Sequence, residues 1–359
     1  MRLSGVLAVV FYCLSVPGCG GDKAKPKGQN DTGNVPAVDS ARQPTDLRIA
    51  EARAEVTPVD PTQTLMAMVD KQRYVADLTF IAQERPPESP HWQAVQDMCL
   101  QRFAELGFDA TLHVFATGVN VIGVKEGSLL PDEQILVSAH YDHLVECEGA
   151  DDNASGVAGT LELARVLSER VFQRTLVVAC WDQEEWGMVG SKAYAKEAKV
   201  RGDDIKVSYV FEMIGYASSL PDSQEIPFGF DLIFPEDVQK LTDNEFRGDF
   251  IAVVADDLAL PEAERLVEFG AGVDLPGITL VLTQTQKNSV LFHDLRRSDH
   301  SSFWDQDYPA MMITDTANFR NKNYHCTDGP DSVDRLDHDF ATKVIQATSG
   351  AAANSLGML

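Results

Sequence analysis

Apolar residues recur along this chain in two rhythms. Short unbroken runs at QILVSAH (134–140), RTLVVACWD (174–182) and PAMMITDT (309–316) have the length and composition of strands buried on both faces. Between the first two, NASGVAGTLELARVLSER (153–170) brings Val157, Leu161 and Ala164 round one side at helical spacing. The alternation extends in both directions. Upstream, helices are expected over Thr64–Gln83 and Ser89–Leu106, the second closed by Gly107, followed by strands DATLHVFA (109–116) and NVIGVKEG (120–127). Downstream come helix SKAYAKEAKV, strand KVSYVFEMIG, strand DFIAVVADD, helix PEAERLVEFGAG, strand ITLVLTQ, the short segment SDHSSFW and a last helix from Arg335. Strands alternating with helices predict an α/β fold: a mostly parallel, mixed central sheet with helices on both faces. In such sheets ligands gather at the carboxyl ends of the strands.

The first residues break this pattern. MRLSGVLAVVFYCLSVPGCGGD carries one early base, a short apolar stretch and small residues, which is the form of an export signal rather than a spanning helix. VPGC resembles a bacterial lipoprotein cleavage site, with Cys19 as the lipidated first residue; Pro17 is unusual there, which leaves simple secretion as the alternative. Residues 20–60 are polar and rich in Lys, Pro, Gly and Asp, as in a disordered tether. The expected organisation is therefore a signal at 1–19, a tether at 20–60 and one domain over 61–359. Its location would be outside the cytoplasm, lipid-anchored to the bacterial membrane in the periplasm or at the cell surface. Membrane contact is expected through lipidated Cys19 alone. Fifty-five acids against 30 bases, a net charge of −25, exclude the electrostatic footprint of a nucleic-acid binder.

The strand ends carry the chemistry. AHYDH follows the first strand of the central set, WDQEEWG the second, FEMIGY the third and TDTANFRNKNYHCTDGPDSVD the last. Each supplies histidine or carboxylate. His140, Asp151, Glu185, Glu212 and His325 make up the nitrogen and oxygen donor set of a two-metal site with one shared carboxylate, suited to zinc, with cobalt or manganese as substitutes.

AHYDH, GADDNASG, WDQEEWGMVGS, EMIGY, RSDHSSFW and TDTANFRNKNYH together resemble the successive motifs of the co-catalytic di-zinc aminopeptidases, metallopeptidase clan MH, family 28. They stand in the family order from about Glu133 to Asp334. The resemblance implies a zinc-exopeptidase fold and two zinc ions. His140 and Glu212 would hold the first, Glu185 and His325 the second, and Asp151 would bridge them, with a cis peptide between Asp151 and Asp152. Asp142 would fix the His140 tautomer. Glu184 would act as general base toward a zinc-bridged hydroxide, and Tyr324 would donate a hydrogen bond to the developing oxyanion. Glu212 departs from the Asp of the best-known members. The implied activity is release of amino-terminal residues from peptides. A glutaminyl-cyclase-like acyltransferase and a non-catalytic binding protein on the same scaffold are the alternatives.

Other residues have plainer readings. His143 matches no ligand of the family and is assigned to the surface or to a supporting position. Asp299 and His300 are assigned to capping and loop support, and Cys99 and Cys180 to buried thiols. If His325 and Asp151 meet at one metal pair, Cys147 and Cys326 come close enough to bond. Arg296, Arg297 and Arg320 leave a carboxypeptidase-type grip on a substrate carboxylate open, and residues 213–297 offer no guide to side-chain preference.

Overall fold

The apolar runs do form strands with two buried faces. Along β3 (Leu130–His140), Ile135, Val137 and Ala139 pack to one side of the sheet and Leu136 to the other. Along β4 (Arg174–Trp181), Leu176, Val178 and Cys180 oppose Val177, Ala179 and Trp181 in the same way. A strand covered on both faces has no polar positions to alternate with, which is why these segments read as continuous hydrophobic runs.

A computed structural model describes residues 60–359. The expected signal at 1–19 and, Asp60 apart, the expected tether at 20–60 lie outside the described residues. In chain order the remaining elements are α1 (Pro61–Met66), α2 (Lys71–Ile81), α3 (Pro90–Glu105), β1 (Asp109–Val114), β2 (Val119–Lys125), α4 (Gly156–Ser168), α5 (Val189–Arg201), β5 (Asp204–Glu212), α6 (Phe230–Ile233), α7 (Pro235–Asp243), β6 (Ile251–Asp256), α8 (Leu260–Ala271), β7 (Gly277–Leu282), α9 (His300–Trp304), β8 (Ala310–Thr314) and α10 (His338–Leu356). The eight strands form one sheet in the order β1-β2-β4-β3-β5-β8-β6-β7. The inner strands β4, β3, β5 and β8 all run parallel. Antiparallel pairing reverses direction on either side, at β2 against β4 and at β6 against β8. Helices α1–α4, α8 and α10 cover one face; α5, α7 and α9 cover the other. No described helix is long and apolar enough to cross a membrane.

Local departures from the sequence reading have local causes. The expected helix Thr64–Gln83 is two helices, because the Asp70 side chain accepts from the backbone N–H of Gln72 (2.8 Å) and Arg73 (3.3 Å) and so starts α2 afresh. The helix expected from Asn153 begins at Gly156; Ala150–Ser155 is an irregular turn containing the cis peptide Asp152–Asn153. Helices α6 and α7, within the stretch where sequence offered no guide, start at a glycine and a proline and lay Leu241 on the sheet. Cys99 and Cys180 are buried thiols as expected, with their sulfurs 3.0 Å apart.

One side chain that sequence reasoning passed over holds the loops at the carboxyl end of β3. Arg85 is fully buried and donates to the carbonyls of Tyr141 (2.9 Å), Glu148 (2.6 Å), Gly149 (2.8 Å) and Asp152 (3.2 Å), and to Gln83 (3.2 Å) and Ile81 (3.4 Å) of its own segment. Burial pulls its pKa down to about 10, against the opposing pull of Asp152 and Asp142, so it remains a cation at neutral pH. A planar fork with five donors suits several carbonyls at once; lysine or methionine could not reproduce it.

Arg85→Met strands these carbonyls without donors, and should cost at least about 3 kcal/mol in urea unfolding. An unchanged midpoint would show that the loops hold themselves. His300 yields a prediction in pH. It is fully buried, its Nε2 lies 2.9 Å from the Leu295 carbonyl, and burial pushes its pKa down to about 3 from 6.5. The folded state therefore refuses a proton that the unfolded chain accepts. Stability from this group is complete above pH 6.5 and is lost as pH falls from there toward 3. His300→Gln should flatten the acid limb of stability over that interval; a limb of unaltered steepness would remove His300 as its cause.

Candidate metal centre

The four parallel inner strands deliver their carboxyl ends to one side of the sheet, and polar side chains converge there. His140 ends β3 and Glu212 ends β5. Glu184 and Glu185 follow β4 directly, and His325 lies in the loop after β8, where it has φ +54. His140 Nε2 is 3.3 Å from Asp152 Oδ1 and 3.5 Å from Glu212 Oε2. On the far side of Asp152, Oδ2 is 3.1 Å from His325 Nε2, which is also 3.1 Å from Glu185 Oε2. One carboxylate thus spans two imidazoles, each of which has a second acid.

These groups are not satisfied by one another. His140 Nε2, His143 Nδ1, Asp152 Oδ1, Glu185 Oε1 and His325 Nε2 are buried and make no hydrogen bond, although they crowd within a few ångströms. Buried polar atoms ordinarily have partners, and orphans gathered at one point indicate a missing common partner. The donors are imidazole nitrogen and carboxylate oxygen, which fit zinc. His140, Asp152 and Glu212 form one group able to hold a cation, and His143, Asp152 and Glu185 a second.

Surrounding contacts fix the donors. Asp142 lies behind His140, its Oδ1 3.5 Å from Nδ1, and its two oxygens accept from the backbone N–H of Glu184 (3.0 Å) and Glu185 (3.3 Å). The carboxylate expected to orient His140 therefore also positions both glutamates. Ser298 donates to Glu212 Oε2 (2.7 Å), securing the longer arm that replaces the family's Asp. The Cys147–Cys326 disulfide is formed, with Cα atoms 5.7 Å apart, and ties the residue after His325 to the loop before Asp152. Glu184 has its pKa raised well above the ordinary carboxylate range, by desolvation first and then by Glu212, Asp299 and Glu185, against the opposing pull of His140. A carboxyl so placed takes up a proton readily.

The structure corrects the choice of bridging acid. Asp151 points away: its Oδ1 accepts from Gly215 N–H (2.9 Å) and its Oδ2 from the Asn321 amide (3.0 Å). Asp152 takes the central place, and the cis peptide follows it, at Asp152–Asn153, rather than joining the two aspartates. Only one of these two consecutive acids faces the centre, and the partners that capture Asp151 come from segments 64 and 170 residues away. His143 is fully buried with Nδ1 2.7 Å from Glu185 Oε1, so it is not a surface residue. Asp299 precedes α9 but its side chain caps nothing; both oxygens are buried without a hydrogen bond, and burial raises its pKa to about 7. His300 does support its loop, through Leu295. Asp331 was not foreseen, and its Oδ2 accepts from the backbone N–H of both Asp151 (2.9 Å) and Asp152 (3.1 Å).

The three arginines divide. Arg320 is buried against Gln224 and the carbonyls of Tyr216 and Phe250, and Arg296 pairs with Asp305. Arg297 remains near the site, donating to the Tyr324 hydroxyl (3.0 Å) and to Asn318 (2.9 Å). Tyr324 stacks on His325 with ring centroids 3.7 Å apart. A partly open pocket shares Glu212, Arg297 and Tyr324 with this site, and is otherwise walled largely by apolar side chains including Phe230, Phe234, Phe250, Leu280 and Met312.

Comparison with known proteins gives the same picture. Residues 120–243 match peptidase family M28. The chain is 33% identical over 242 residues to the uncharacterized protein YfbL of Escherichia coli K12, covering 62% of this chain and 67% of that protein. It is 30% identical over 172 residues to leupeptin-inactivating enzyme 1 of Streptomyces exfoliatus, covering 43% of this chain but only 38% of that enzyme. Among solved structures, the LapA aminopeptidase of Legionella pneumophila superposes with a TM-score of 0.61 at 18% identity, over 83% of this chain and 75% of that one. The glutaminyl cyclase of Porphyromonas gingivalis superposes with a TM-score of 0.57 at 14% identity, over 80% and 99%, so the fold alone does not separate hydrolase from cyclase. With the profile match and the relative that it covers by two thirds, the chain belongs to peptidase family M28 and is a metallopeptidase.

Proposed function

We propose that this protein removes amino-terminal residues from peptides with two zinc ions, one held by His140, Asp152 and Glu212 and the other by Asp152, Glu185 and His325. The observation that carries the reading is Asp152, one carboxylate set between two imidazoles whose inward nitrogens have no other partner. When bound, zinc lowers the pKa of water toward about 7 and polarises a carbonyl. The rest belongs to the chain. Glu184, positioned by its backbone N–H on Asp142 and adjacent to Glu185, takes the proton from the attacking water and passes it to the departing amine. Tyr324, steadied by Arg297, is assigned to the substrate carbonyl oxygen.

Several features favour an amino terminus over a carboxyl terminus. Arg297, the one of Arg296, Arg297 and Arg320 that remains near the site, is already engaged by Tyr324 and Asn318. The adjoining apolar cavity is fit for a large aliphatic or aromatic side chain.

Export and anchoring through lipidated Cys19 are part of the proposal. The Cys147–Cys326 disulfide supports a location outside the reducing cytoplasm.

In a panel of peptides, those with free amino-terminal Leu or Phe should be cleaved at least about tenfold better than those with Asp, and amino-acetylated peptides not at all. A chelator should abolish activity. Glu184→Gln should lose at least about 100-fold in kcat while keeping its zinc. Cleavage from the carboxyl end, or full activity in Glu184→Gln, would sink the reading. Cys19→Ala should move the protein from the membrane to the soluble fraction of the cell envelope; unchanged fractionation would reject the lipid anchor.

A further inference from the structure

His143 stands one residue beyond Asp142, in a group able to hold a cation, yet has no part in the two-zinc set proposed above. Its ring is fully buried. Nδ1 lies 2.7 Å from Glu185 Oε1, yet the approach is not aligned as a hydrogen bond, and both atoms, with Nε2, remain without a partner. Two polar atoms held this close without hydrogen-bond alignment are placed as two ligands of one cation would be. The ring has little freedom to turn elsewhere. A Cβ on Gly149, which has φ +57, would fall 2.3 Å from His143 Cδ2, so the backbone of that loop lies against the imidazole. Arg85 holds the same loop through the Gly149 carbonyl, and its own carbonyl accepts from the His143 N–H (3.2 Å). The groups facing the ring are Glu185, Asp152 and, edge to face at 6.0 Å, His325. Ligand atoms of His143, Asp152 and Glu185 lie within 4.8 Å of one another.

We propose that His143 Nδ1 is a fourth protein ligand of the second ion, completing Asp152, Glu185 and His325. This rests on the two-zinc reading above. The consequence is an asymmetric centre. The second position has two nitrogen and two oxygen donors and is closed, while the first, with His140, Asp152 and Glu212, keeps an open place. Closed four-ligand zinc sites are structural, and open three-ligand sites admit substrate. The second ion is therefore retained and the first exchanges.

The test uses the purified protein loaded with zinc and read without any substrate. Two-bond nitrogen–proton correlation of its eight histidines should show three ring nitrogens shifted by the metal, one of them an Nδ1. Graded chelation with metal counting should release one zinc first and the second only at chelator concentrations at least about tenfold higher; in His143→Ala that gap should close. Two shifted nitrogens in the wild type would overturn the assignment even if His143→Ala folds poorly, as would release curves that the substitution leaves unchanged. Failure to bind any zinc would overturn the two-zinc reading with it, whereas two bound ions with only His140 and His325 ligating would overturn this inference alone.

Discussion

Buried negative charge at one end of a parallel sheet is the constraint from which the rest of this structure follows. Asp142, Asp151, Asp152, Glu212, Asp299, Asp315 and Asp331 are all nearly or fully inaccessible, and Glu184 and Glu185 stand among them. An isolated buried carboxylate costs several kcal/mol, so each must be paired, bonded by N–H groups, or protonated. The chain uses all three solutions. Asp142 and Asp331 collect backbone N–H groups, Asp151 takes an amide and a backbone N–H, and Asp299 and Asp331 have pKa values raised to about 7 by burial. Those of Asp152, Glu185 and Glu212 are left facing histidines, and a divalent cation is the partner that settles that account.

The sheet divides its labour by strand direction. Four parallel inner strands bring their carboxyl ends to one side, which is where the donors sit. The reversal at β6 means that β6 and β7 contribute no ligand. Their side chains Ala252, Val254, Ile278 and Leu280 instead wall the apolar pocket beside the metal donors. The donor groups thus lie on the parallel part of the sheet, while the sheet's share of the apolar wall comes largely from the reversed part.

Long-range ties hold the loops that carry the donors. Arg85 gathers four carbonyls from the loops after β3, Asp331 caps the backbone of Asp151 and Asp152 from about 180 residues away, and the disulfide joins Cys147 to Cys326. None of these makes metal contact. Their effect is to make the geometry around Asp152 independent of the flexibility that loops usually have.

Much of this was written locally in the sequence. The strands, their burial on two faces, and the placing of His140, Glu184, Glu185, Glu212 and His325 after strand ends are properties of short segments read in order, because a strand's periodicity and the residues following it are local facts; the cysteine pair, 179 residues apart, followed only on condition that distant site loops meet. What the tertiary structure alone decided depends on partners far apart in the chain. Asp151 and Asp152 are equivalent as neighbours in a sequence, and only the Gly215 N–H and the Asn321 amide draw the first aside and leave the second at the centre. His143 and Arg85 look like ordinary polar residues until folding removes them from water, for burial is a sum over the whole molecule. The apolar cavity is likewise invisible in residues 213–297, since its walls come from helices and strands that meet only when the sheet has closed over them.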